Sequence, residues 1–313
     1  MKDDHRVVLL TGANGFVGRN VAPVLTANGM IVRQAMRKPS SQPNSVIVNA
    51  IGPQTDWNEA LFGVDVVVHL AAKVHHSHEE GTLEVYRSIN TDGTLHLARC
   101  AAEAGVRQFI FLSSLLVNGN RADALSPARE EDRPVPRGVY GMSKAAAEAG
   151  LEAIANDTDM SISVIRPPLI YGAGALGNFR QLVTAIERGL PLPFGSIHNR
   201  RAFLGIENLA SFIVHRLAHP GGKFDLFLLA DNEQVSTPEF VRLVAKTLGK
   251  EPRIVPLPLF LLKALFRISG RPEAYNSVVG SMEVDTSKAL NTGWRPLFSL
   301  DEGLRRSYHR QPT

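Results

Sequence analysis

The chain has 313 residues, enough for one large domain or two closely joined ones. At 44% hydrophobic it can bury a substantial core, and a single cysteine, Cys100, excludes an internal disulfide framework. Its 34 basic and 30 acidic residues leave a net charge of only +4, scattered apart from Arg305, Arg306 and Arg310, which argues against a nucleic-acid partner.

The amino-terminal stretch MKDDHRVVLLTG has no long apolar core and no cleavage site, so a secretory signal is not expected. With the lone cysteine set in an apolar helical pattern, a reducing, cytoplasmic setting is expected. Residues 254–268 form the most apolar late stretch, too short to span a bilayer. Its expected role is a buried or lid helix, with an interfacial helix as the alternative.

In chain order, short apolar runs at 6–12, 30–37, 45–51, 64–71, 106–114, 161–169 and 223–230 are predicted as strands. Their near-continuous apolar character suits strands covered on both faces. Helical patterns at 15–28, 91–104 and 140–155 alternate with them. The prediction is an α/β fold: a Rossmann-type, doubly wound parallel sheet of about seven strands. After Tyr171, Gly and Pro become frequent. A dinucleotide-binding domain over 1–170 and a smaller α/β substrate-binding lobe over 171–313 are expected, with strand 223–230 returning to the first.

The first strand runs into Thr11-Gly12-Ala13-Asn14-Gly15-Phe16-Val17-Gly18 and then a helix. Gly12 permits a sharp turn, Gly15 a close backbone approach to a pyrophosphate, and Gly18 close packing of helix on sheet. The helix N-terminus offers free N–H groups and the positive dipole end. A glycine-rich turn without a ligand is the plainer reading, but the strand–turn–helix placement points to a dinucleotide. At the end of the second strand Met36 stands where an NAD-selective sheet places an acid. Arg37, with Arg33 and Lys38 nearby, can pair with a 2′-phosphate, so NADP is expected in preference to NAD.

Tyr140 and Lys144 are four apart at the start of a helical pattern, on one face. A nearby ammonium would lower the phenol toward a useful proton-transfer range. Ser114 closes the fifth strand, at the carboxyl edge where ligands sit in open sheets. Asn90 opens NTDGT ahead of a helix, as an N-cap would.

TGANGFVG, DVVVHLAA, NTDGT, FLSS, YGMSK and RPPLIYG occur in that order. Together they resemble the extended short-chain dehydrogenase/reductase family, in its nucleotide-sugar epimerase/dehydratase group. The resemblance implies that Tyr140 donates or accepts the proton, that Lys144 tunes it and holds the nicotinamide ribose, and that Ser114 is the catalytic hydroxyl. Asn90 would support the site, Leu70, Ala71 and Ala72 would line the cofactor, and Pro167 would lie near the nicotinamide. It also implies a homodimer through helices 91–104 and 140–155.

Dehydratases of this group resemble one another in an Asp-Glu pair after the catalytic Ser/Thr. Leu115 and Leu116 stand there and cannot exchange protons, so 4,6-dehydration is set aside. Because Met36-Arg37 departs from the group's tight NAD holders, the expected reaction is reduction of the C4 keto group of a nucleotide-activated, UDP-linked 6-deoxy or N-acetyl hexosamine. The alternative is a UDP-sugar 4-epimerase with bound NAD. An NADP-dependent reductase of a non-nucleotide ketone and a non-catalytic cofactor sensor are further rivals. Retention of Tyr140, Lys144, Ser114 and Asn90 speaks against the sensor. By the same resemblance Asn178, Phe179, Pro193, Phe194 and Arg201 would bind substrate, Arg201 at the diphosphate, with Arg271 a weaker second arginine. His75, His76 and His78 have irregular spacing and no carboxylate or cysteine cluster beside them, so no metal is expected. His75 would lie near the substrate.

Overall fold

The computed structural model describes residues 6–39, 42, 44–74, 82–119, 126–270 and 272–309. The first part of the chain gives β1 (Val7–Thr11), α1 (Phe16–Ala27), β2 (Ile31–Met36), β3 (Ser45–Ile47), α2 (Asn58–Leu61), β4 (Val66–His69) and α3 (Leu83–Tyr86). A π-helical turn at Arg87–Asp92 leads into α4 (Gly93–Glu103), followed by β5 (Gln108–Leu112), α5 (Gly138–Asp157) and β6 (Ser161–Arg166). Next come β7 (Leu169–Tyr171), α6 (Asn178–Glu187), β8 (Phe203–Gly205), α7 (Ile206–Ala218) and β9 (Phe224–Leu228). The remainder is helical: α8 (Thr237–Thr247), α9 (Leu259–Ile268), α10 (Pro272–Val279), α11 (Ser287–Asn291) and α12 (Leu300–His309).

Seven strands form one parallel sheet in the order β3-β2-β1-β4-β5-β6-β9. Alternation along each strand feeds two cores. Val8 and Leu10 face α1 and α7, where Leu25, Phe212 and Ile213 are fully buried. Leu9 faces the opposite layer, with Leu97 and Ala101 of α4 and Leu151 of α5. Both faces are thus covered, as a parallel sheet requires. The order reverses between β1 and β4, so a crevice opens beyond their carboxyl ends, the usual ligand position in such sheets.

The predicted strand over 161–169 is interrupted. β6 ends at Arg166, and Pro167-Pro168 supplies no N–H to continue the ladder. β7 then leaves for a separate parallel pair with β8. That pair, with α6, α8 and α12, encloses a third core around Tyr171, Phe179, Phe203 and Phe240. Strand β9 and helix α7 both pack on the large sheet, so the chain crosses back into it after β8. Phe16 packs against the first and third cores alike, joining the phosphate turn to the smaller lobe.

His69 ties β1 and β4 to the helix layer. Thr94 Oγ1 donates to the Asn90 carbonyl at 2.8 Å, so it accepts from His69 Nε2–H at 3.0 Å. Nδ1 is then the acceptor for the Thr11 hydroxyl at 2.7 Å, and Thr11 accepts from the Ala71 N–H at 3.3 Å. Burial, assisted by the charge of Lys144, holds His69 down to about 3. The folded imidazole stays neutral while the unfolded one gains a proton below about pH 6.5. Stability contributed by neutral His69 is therefore lost as pH falls from about 6.5 toward 3. Thermal melts over that range should show a slope of at most about 1.4 kcal/mol per pH unit from this group. His69→Asn should flatten it, and an unchanged slope would refute the assignment.

Candidate active site

The phosphate turn is built as a cradle. Gly12 has φ +73°, and a Cβ there would lie 2.7 Å from the Ala71 nitrogen. A Cβ on Gly18 would collide with the Gly12 carbonyl and Ala13. Helix α1 starts at Gly15 with no side-chain cap and no acidic residue in its first turn. Its first N–H groups and dipole end therefore lack a counter-charge from the chain, and Asn14 and Gly15 are exposed beside them. These residues fit a dinucleotide pyrophosphate. Leu70, Ala71 and Ala72 are half-buried along the opposite wall. Near the end of β3 a cleft of about 610 Å³ is lined by Val48, Ala50, Gly52 and Thr55 among others. Its carboxyl-edge position suits the adenosine end. The sequence reading missed it because the loop's one glycine and its acids are not set in a recognisable ligand-binding spacing.

At the end of β2, Met36 is buried in the core and Arg37 is exposed. Arg33 is committed elsewhere: its Nη1 donates to the carbonyls of Ala60 and Phe62, at 3.0 and 2.6 Å, at the end of α2. Its guanidinium is thereby drawn toward α2.

Helix α5 delivers Tyr140 and Lys144 against the end of β5. Lys144 Nζ donates to the Leu112 carbonyl at 2.8 Å and stands 4.2 Å from the Phe111 ring centroid and 5.9 Å from that of Tyr140. Ser114 follows two residues after Leu112. It caps a 3-10 turn at Leu115–Val117, its Oγ accepting from the Leu116 N–H at 3.2 Å. The Leu116 carbonyl accepts from the Arg137 N–H at 3.0 Å, and a Cβ on Gly141 would meet it at 2.9 Å. The absence of a side chain at Gly141 thus lets the start of α5 close onto the Ser114 turn. Pro167 is buried alongside, its carbonyl accepting from the Leu115 N–H at 2.9 Å.

Asn90 is not a cap. It sits inside the π-helical turn, 1% exposed. Its Oδ1 accepts from the Lys73 N–H at 2.8 Å, and its Nδ2 donates to the Lys73 carbonyl at 3.0 Å and Ser143 Oγ at 3.1 Å. One side chain thereby fixes the loop after β4 to the residue preceding Lys144. His75, His76 and His78 lie outside the described residues, as does Arg271. Among the described residues no cluster of three His, Cys, Asp or Glu could hold a metal.

The protonation states differ from the expectation that Lys144 lowers Tyr140. Burial pushes the Tyr140 phenol above the ordinary tyrosine range, and neighbouring Tyr86, edge-on at 6.4 Å, adds to it. Burial brings Lys144 down to about 7, with Glu148 opposing the shift. Low polarity disfavours the phenolate and the ammonium alike, so it moves the two groups in opposite directions.

Beneath Lys144 lies a network that the sequence reading missed. Ser113 Oγ donates to Glu148 Oε1 in a short hydrogen bond. Arg166 Nε donates to both Glu148 oxygens at 3.0 Å, and its Nη1 to Asn118 Oδ1 at 3.0 Å. Both charged side chains are almost fully buried. The signal was present as spacing: Tyr140, Lys144 and Glu148 recur every fourth residue on one helix face.

In the smaller lobe, Arg201 Nη1 donates to the Gly280 carbonyl at 2.9 Å, and burial pulls its guanidinium down to about 10. Among the described residues no carboxylate forms an ion pair with it. Pro193 and Phe194 are half-buried, next to residues 253–255: the Leu192 N–H donates to the Arg253 carbonyl and the Gly195 N–H to that of Val255. Asn178 is exposed at the first turn of α6. Phe179, expected at substrate, packs its ring against Tyr171 and Phe240 in the lobe core, so only its backbone can serve a ligand.

Residues 8–227 match the NAD dependent epimerase/dehydratase family. The chain belongs to that family. It is 38% identical over 307 residues to a UDP-glucose 4-epimerase of Vibrio cholerae, covering 96% of this chain and 94% of the relative. It is 27% identical over 314 residues to an N-acetyl-alpha-D-glucosaminyl-diphospho-ditrans,octacis-undecaprenol 4-epimerase of Escherichia coli O157:H7, covering 96% and 93%. Among solved structures, the Thermus thermophilus UDP-glucose 4-epimerase complex with NAD superimposes with a TM-score of 0.76 at 21% identity, covering 96% and 97%. That last likeness concerns the fold.

As an NAD(P)-dependent enzyme of the epimerase/dehydratase family, the protein has its glycine turn and Tyr140–Lys144 pair at adjoining ends of β1, β4 and β5. The bound dinucleotide supplies a hydride acceptor and donor. Beside that pair the chain offers the Tyr140 phenol, a group able to exchange one proton with a substrate oxygen. Tyr140→Phe keeps the ring packing against Tyr86 and removes only that proton. Turnover should fall by about 10²–10⁴-fold with the melting temperature unchanged. Retained turnover would remove Tyr140 from the chemistry.

Proposed function

We propose that the protein is a 4-epimerase of diphosphate-linked hexoses, with UDP-glucose or UDP-N-acetylglucosamine as soluble substrates. The supporting observation is 38% identity to a UDP-glucose 4-epimerase over 96% of this chain. This reading takes precedence over the 4-keto reduction expected from Met36 and Arg37, because the two relatives above are both 4-epimerases. Tyr140 would take the C4 hydroxyl proton and return it after the other face of the 4-keto sugar is presented. Ser114 would hold the same oxygen, and Lys144 would bind the nicotinamide ribose. The leucines after Ser114 leave no group there for a dehydration step, Leu115 being 2% exposed in an apolar core.

Arg201 supports a diphosphate. A half-buried cation with no carboxylate partner among the described residues gains when an anion meets it. Nucleotide-linked and polyprenol-linked sugars share that diphosphate, and the Escherichia coli relative is named for the second kind. We infer that both belong to the substrate class, and that exposed Arg37 lets NADP bind as well as NAD.

Purified protein incubated with each UDP-sugar should produce its C4 epimer with no net cofactor consumption. Arg201→Ala should raise KM by at least about 30-fold, the size of a buried charge pair, with a smaller change in kcat. Stoichiometric NADPH oxidation by a 4-keto sugar, without epimer formation, would return the assignment to a reductase.

A further inference from the structure

Helix α9 carries a cluster of exposed large apolar side chains. Of its ten residues only Leu262 is buried. Phe266 packs edge-on to Tyr275 of α10, at 6.2 Å between ring centroids. The remaining apolar side chains face outward, with Phe260 71% and Ile268 85% exposed and Leu261 and Leu265 beside them. Of the options expected from the sequence, a fully buried helix is excluded by this exposure, which is consistent with the interfacial alternative.

Two features indicate what covers this face. Leu261, Ala264 and Ile268 recur at helical spacing, and Lys263 and Arg267, four apart, form the adjoining stripe. Residues 253–270 contain no Asp or Glu, and Arg253 adds a third cation. An apolar stripe edged by cations suits the acyl–headgroup boundary of an anionic bilayer. A second copy docking the same face against itself would offer those cations no carboxylate. The helix is also continuous with the candidate substrate site. The 253–255 segment that leads to it bonds to the Leu192–Gly195 segment, and α10 behind it runs to Gly280, whose carbonyl accepts from Arg201. Among the described residues no helix is long and apolar enough to cross a membrane, so attachment would be peripheral.

We propose that α9 docks the smaller lobe onto an anionic membrane surface, presenting the Arg201 site to diphosphate sugars whose carrier lipid stays in the bilayer. The lipid-linked part of this proposal rests on the diphosphate-sugar reading above; membrane attachment itself does not depend on it.

The test is co-sedimentation of the full chain with phosphatidylcholine vesicles with and without phosphatidylglycerol, alongside activity on soluble UDP-sugar. The wild type should bind the phosphatidylglycerol vesicles. Lys263→Ala with Arg267→Ala should weaken that binding about 30-fold, and Phe260→Ser with Ile268→Ser about a hundredfold or more. Both double variants should keep wild-type activity on the soluble substrate, which also reports their folding. Failure of the wild type to bind, or equal binding by both variants, overturns the proposal. So does concentration-dependent self-association that Phe260→Ser and Ile268→Ser abolish while vesicle binding persists. Vesicle binding without epimerisation would instead count against the proposed reaction and leave the docking surface standing.

Discussion

Lys144 places an amine in the protein interior, and the arrangement of the site follows from how it is kept there. Its ammonium is satisfied by the Leu112 carbonyl and the Phe111 ring rather than by a carboxylate in direct contact. Glu148, one turn further along α5, opposes the loss of its proton but is itself engaged by Ser113 and Arg166. This buried pair is fully hydrogen-bonded on the carboxylate side, which is the condition under which such pairs are tolerated. The network holds β5, β6 and α5 in register, and so fixes where Tyr140 and Ser114 sit.

The same constraint explains the separation of proton affinities in the free protein. Low polarity disfavours charge on both groups, raising the phenol and lowering the amine. Catalysis at neutral pH needs those affinities to approach each other. The positive charge of an oxidised nicotinamide would favour the phenolate on purely electrostatic grounds. Cofactor binding would then complete the acid–base group as well as provide the redox chemistry. Arg201 is a related case in the other lobe: a half-buried guanidinium bonded to the Gly280 carbonyl, with no ion pair among the described residues. Phe16 links the two regions by packing in both cores.

Much of this was legible in the sequence. All seven sheet strands follow from apolar runs bounded by Gly, Pro and polar clusters. The glycine turn and the Tyr140–Lys144 spacing were legible because sharp turns and shared helix faces have fixed residue intervals. What was not legible depends on burial. Spacing places Lys144 near Tyr140 but does not say that desolvation decides both protonation states. Polarity suggested a cap at Asn90, whereas the π-helical turn carries that residue inward to bridge Lys73 and Ser143. Phe179 looked like a ligand contact and is a core ring, because the lobe's packing is not encoded in a dipeptide. Apolar composition at residues 254–268 predicted a covered helix, but the fold leaves most of it open.

In the free protein, burial raises the Tyr140 phenol and lowers the Lys144 amine together. Ultraviolet difference titration of wild type against Tyr140→Phe, without cofactor, reads the phenolate of that one residue. Tyr140 is expected to show no phenolate at neutral pH and to ionise only above the ordinary tyrosine range. A phenolate already forming near neutrality in the cofactor-free protein would contradict it.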